Sequence, residues 1–245
     1  MRRAPLFLLY ALFAACRGAP PAQAADEQQV APAQHPDSMA GMEAEHAMAG
    51  MVSNEDLHLH LTSHRAAAPG DSARAAEVLV TMRRELAKYA DVRVAEADGY
   101  RQFLPGVPAP IAHFTSFRSA LASRRGLDPA RPTSLLYQRD SSGHFTLVGA
   151  MFTAPASTSE GELDRRLPLS ITRWHEHVNW CLPPFGARER WRETKDGQPV
   201  FGPKSPIATR EACDAVGGRF APRLFGWMVH VMAFTSGDPW NTSHH

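Results

Sequence analysis

Two stretches of this 245-residue chain hold the side chains best suited to chemistry: WHEHVNWC, from Trp174 to Cys181, and GWMVHVMAF, from Gly226 to Phe234. Both carry Trp and Val, residues favoured in strands. Side chains alternate along a strand, so His175, His177 and Asn179 are expected on one face and Trp174, Glu176, Val178 and Trp180 on the other. In the second stretch Met228, His230 and Met232 share a face. If the two strands are neighbours, His230 comes to face His175 and His177, and His113 in PIAHFTSF is a candidate fourth ligand. Imidazole binds zinc, copper, iron and nickel, and nearby thioether sulfur tilts the choice towards copper(I). The plainer alternative is that these are polar residues of a solvated face, with the methionines as core filler.

The same residues offer less to hydrolytic chemistry. Glu176 lies between two histidines, but alternation sends it to the far face. The helical HExxH pattern and the GxSxG elbow are both absent. The leading expectation is therefore a transition-metal site, copper or zinc, formed by His175, His177 and His230 with His113. Two rivals stand beside it. One is a metal-dependent enzyme that uses the same cluster with an open coordination position; the other is a structural envelope lipoprotein whose histidines only hydrogen-bond.

The elements that must position these residues follow from periodicity. Val78, Leu79, Met82, Leu86 and Tyr89 recur at helical spacing behind a cap at Asp71 or Ser72, and the helix should break near Asp91, with a second piece running to Gly99. Ser116 to Arg125 reads as a short helix. Ser134 to Gln138 and Phe145 to Phe152 flank RDSSGH, a hairpin signal. Glu160 to Leu167 and part of Ser205 to Gly218 are further short helices, and Leu169 to Leu182 and Leu224 to Phe234 are the longest strands. The expected fold class is α+β, a mainly antiparallel sheet with peripheral helices, preceded by a disordered tether.

The first residues, MRRAPLFLLYALFAAC, have the charged start, short apolar run and small residues of a signal peptide within 1–24. FAAC resembles a lipobox, which makes Cys16 a candidate for lipidation and gives the chain a membrane partner through the anchor; cleavage after Ala24 is the alternative. Residues 25–68 read as a tether rich in Met and His, and 69–245 as one globular domain. Within the tether His35, Met39, Met42, His46, Met48 and Met51 suit loose capture of copper ions. Setting Cys16 aside leaves Cys181 and Cys213, an even pair expected to bridge in an oxidising compartment. Export places the chain in the periplasm or at the outer membrane. Lys and Arg total 26 against 25 Asp and Glu, with no basic block interleaved with aromatics, so nucleic acid is not an expected partner.

From about Lys88 to Phe234, the motifs AEADGY, HFTSF, SLLYQ, LVGAMFTAP, WHEHVNWCLPP, FGPKSPIATREAC and GWMVHVMAF resemble a family of exported bacterial proteins predicted to be lipoproteins. The resemblance implies that the two histidine motifs belong to one domain. It brings no activity with it.

Overall fold

The computed structural model describes residues 56–105 and 111–240. Nine strands and five α-helices are present among them. The strands are β1 (Leu59–Leu61), β2 (Arg101–Gln102), β3 (Ile111–Thr115), β4 (Ser134–Arg139), β5 (Phe145–Ala154), β6 (His175–Leu182), β7 (Thr194–Lys195), β8 (Gln198–Pro199) and β9 (Arg219–Val231). The helices are α1 (Asp71–Leu86), α2 (Val92–Ala97), α3 (Phe117–Ala122), α4 (Glu160–Arg166) and α5 (Arg210–Ala215). Seven strands form one antiparallel sheet in the order β1-β6-β9-β5-β4-β3-β2, and β7 with β8 forms a separate hairpin. The α+β expectation holds. No described helix is long and apolar enough to cross a membrane.

Alternation divides the sheet into two unlike faces. One carries Ala112, Phe114, Leu135, Tyr137, Phe152, Val229 and Val231, which pack against Met82, Leu86 and Tyr89 from α1 and its 3-10 extension and against Leu163 of α4. Each such fully buried side chain contributes roughly 1.5–3 kcal/mol, so this layer holds the domain together. The face of α1 that spacing predicts is the one that packs: Met82 and Leu86 are wholly buried, with Val78 and Leu79 against them. The opposite face carries a smaller apolar group, Leu136, Val148, Met151 and Met228, flanked by Ile111 and Met232.

Local chemistry sets the element ends. Ser116 and Thr209 cap α3 and α5 through their hydroxyls, and Ser159 with Glu162 closes a capping box on α4. Asp91 caps α2 where the helix break is expected. The cap of α1 differs from the expected one. Gly70, at φ 88°, precedes the helix, and the Asp71 carboxylate instead accepts from Ala68 N–H and from the Arg65 guanidinium. The long strand expected from Leu169 begins only at His175, because Ile171 and Thr172 N–H both turn back to the Pro168 carbonyl.

The fold also starts earlier than residue 69. Leu59, His60 and Leu61 pair with His177, Glu176 and His175, which puts them on the sheet as an edge strand. His58 is buried, its ring nitrogens 2.6 Å from the Ser205 carbonyl and 3.3 Å from the Val178 carbonyl. Leu59 to Leu61 pair their backbone with β6, although the lack of aromatic residues in LHLHL makes the run read like the tether expected before it. The expected signal peptide, Cys16 and the residues of the expected tether, His35, Met39, Met42, His46, Met48 and Met51, lie outside the described residues.

Cys181 and Cys213 form a disulfide that ties β6 to α5 across a sequence separation of 32. Closing such a loop in the unfolded chain stabilises the fold by roughly 3–4 kcal/mol. The bridge is wholly buried with Val200 and Phe201. A Cβ at Gly218 would collide with both sulfurs, which is why glycine stands there.

Candidate metal centre

β6 and β9 are neighbours, as the histidine argument requires. The rings of His175 and His230 lie 5.2 Å apart, centre to centre, and those of His175 and His177 5.4 Å apart. His113, from β3, adds a fourth ring 5.3 Å from His230. The four imidazoles thus run in an unbroken line, His113, His230, His175, His177, drawn from three strands. His175 is 1% exposed and His230 9%, while His113 and His177 are partly exposed.

Nε2 of His113 and Nε2 of His230 lie 3.4 Å apart. Two nitrogens held tetrahedrally on one ion at 2.0–2.1 Å stand about 3.3–3.4 Å apart. The separation also meets the criterion for a hydrogen bond between the two rings. The pair is close enough for both nitrogens to reach one ion. Among the described residues, no group of three or more His, Cys, Asp or Glu side chains already stands disposed around a common ion. Bringing a third nitrogen to that pair takes rotation of the His175 ring, which is in contact with His230.

The sheet curls to make this meeting possible. β4 and β5 lie between β3 and β9, so a flat sheet would hold the two backbones about 14 Å apart. Phe103 and Phe225 tell the same story from farther out. Phe103 N–H donates to the His113 carbonyl, which extends the β2–β3 register and places Phe103 beside His113. Its ring nonetheless lies 6.0 Å from that of Phe225 in β9. The histidine-bearing face is the concave one, and these two half-exposed phenyl rings meet across it.

A bulge in β9 tunes the arrangement. His175 pairs with Met228 and His177 with Leu224, so Phe225, Gly226 and Trp227 together stand against Glu176 alone. Phe225 takes φ 63° to make the turn. Gly226 is pressed so close to the Ala154 carbonyl of β5 that a Cβ would strike it.

Strict alternation fails at one position. Asn179 adopts φ 58°, and the Trp180 ring, expected on the far face, lies 5.0 Å from that of His177. Glu176 behaves as alternation requires. It is completely buried on the opposite face, 3.3 Å from the Arg223 guanidinium and 3.5 Å from Nδ1 of His60, whose ring packs at 5.3 Å on Trp227. Glu176 is thus held by two basic side chains on the face away from the histidine line. His60 is a sheet residue in this arrangement, and His58 is buried in the 3-10 turn just before it, roles their Met/His-rich neighbourhood conceals.

Sequence reasoning missed Met151. It lies opposite His230 in the β5–β9 pairing and is 8% exposed. The signal for it was the hairpin itself, since a β5 placed beside β9 puts MetPhe in register with ValHis. No family model, curated protein or solved structure matches this chain.

Proposed function

We propose that this chain is an envelope transition-metal-binding protein, taking copper or zinc through His175, His177 and His230 with His113, for sequestration, delivery or tolerance. The observation that carries the reading is the Nε2–Nε2 spacing of His113 and His230 within a continuous line of four imidazoles on a curled sheet face. A merely solvated face would not need to gather four rings from three strands, two of them almost fully buried. The leader, the candidate lipid anchor at Cys16 and the Met/His tether complete the proposal: the anchor holds the domain at a membrane, and the arm gathers ions for it. A disulfide is consistent with the oxidising compartment this implies.

Metal analysis of the protein purified from the envelope fraction of metal-replete cells tests this. Bound copper or zinc is expected in the wild type, with most of it lost in His175→Ala and in His230→Ala. Wild-type protein without either metal overturns the reading. Deleting residues 35–51 should slow loading and leave the domain's own capacity unchanged.

A further inference from the structure

We propose that the histidine cluster is a copper(I) site and that Met151 and Met228 give it that selectivity, an inference that rests on the metal reading above. The register supplies the geometry. Met151 stands directly opposite His230 on β5, and Met228 stands directly opposite His175 across the β6–β9 pairing. Residues directly opposite in an antiparallel pair share a face, with Cβ atoms about 4.5–5.5 Å apart. Each of the two central imidazoles therefore has a thioether as its cross-strand neighbour. β5 also lies between β3 and β9; the row that runs from His113 through Leu136 meets it at Gly149, two residues from Met151.

Charge points the same way. The strands that carry the cluster and its methionines, β3, β5, β6 and β9, contain one acidic residue, Glu176, and it is engaged by Arg223 and His60 on the other face. The donors on the concave face are thus neutral nitrogen and sulfur, and Met151 and Met228 are 8% and 5% exposed in an apolar group with Leu136 and Val148. Uncompensated charge is costly in such surroundings, and the cost grows steeply from a monovalent to a divalent ion. Thioether sulfur is a soft ligand that favours copper(I), and it is not among the usual ligands of zinc, which are thiolate, imidazole and carboxylate. A monovalent soft ion fits both constraints.

The test uses the mature, disulfide-bonded protein and its Met151→Leu/Met228→Leu variant, a near volume-conserving change that the core should tolerate. Each is titrated anaerobically with copper(I) against a chromophoric copper(I) chelator, and separately with zinc(II) against a zinc chelator, with circular dichroism as the check on folding. The wild type should prefer copper(I), and the variant should lose about tenfold or more in copper(I) affinity while zinc affinity stays within about threefold. Equal copper(I) affinity in the two proteins, or a wild type that holds zinc more tightly, overturns the methionine assignment and leaves a histidine metal site standing. A wild type that binds neither ion removes the site itself.

Discussion

His113 and His230 are separated by 117 positions in the chain and by two whole strands in the sheet, yet their Nε2 atoms lie 3.4 Å apart. That approach depends on curvature, and curvature depends on irregularities in the ladder. β9 bulges opposite Glu176, and the β4–β5 register shifts between Leu136 and Tyr137. Extra residues in one strand bend it and increase local twist. The backbone defects are therefore the features that assemble the donors.

Gly226 gives the most direct link between fold and site. Its missing side chain lets β9 press onto the Ala154 carbonyl at the bulge. Gly226→Ala should displace the strand, cost about 1–3 kcal/mol of stability, and lower metal affinity with it. Denaturant unfolding and metal titration on the same preparation check this. Lost stability with unchanged affinity would show that the bulge does not position the histidines.

Glu176 separates a structural carboxylate from a site residue. Its removal leaves Arg223 and His60, both about half exposed to solvent, beside the space it vacates, so Glu176→Ala should destabilise the fold by only about 1–2 kcal/mol. Metal stoichiometry at low temperature should persist, because the carboxylate faces away from the histidine line. Abolished binding in a variant that remains folded would contradict the assignment of the two faces.

The disulfide holds the end of β6 that follows His177. Cys181→Ser/Cys213→Ser should lower stability by about 3–4 kcal/mol, read as a fall of roughly 10 °C in Tm for a domain of this size. Gly218→Ala, which drives a methyl group onto the two sulfurs, should lower Tm without any change in thiol content. A Tm within about 2 °C of wild type for the serine pair would remove the bridge from the account of stability.

Acid sensitivity should come from Arg65. Its guanidinium donates to Asp71 and to Asp164, and Ser170, Arg74 and the Ala68 N–H also donate to Asp71. The guanidinium holds the Asp71 carboxyl far below the usual carboxylate range, and Asp164 is lowered by the same partner. A depressed folded-state pKa stabilises the fold above the unfolded carboxylate value, near about 3.9, and that stabilisation is lost as pH falls through the folded value. Tm should therefore decline with falling pH below about 4, and Asp71→Asn should be less stable at neutral pH with a shallower acid limb. Parallel acid limbs in the two proteins would contradict the linkage.

Much of this was legible in the sequence because the periodicities are strong. The α1 face, the β4–β5 hairpin and the disulfide follow from spacing and composition, whereas the pairing of the two histidine strands is a condition that only the structure supplies. What escaped it was non-local. Nothing near Leu59 shows that this short run would find β6, and no local rule places Met151 opposite His230 until β5 is known to lie beside β9. Strict alternation also missed the contact between Trp180 and His177, because Asn179 takes a left-handed conformation that only a turn-prone residue tolerates readily.

X-ray absorption at the metal edge of the loaded protein addresses the central claim most directly, since it reads the ligands themselves. The account predicts imidazole nitrogens at about 2.0–2.1 Å, with outer-ring scattering from at least two histidines that disappears in the His113→Ala/His230→Ala variant. A first shell of oxygen alone, or an imidazole signal that this double replacement leaves unchanged, would contradict it.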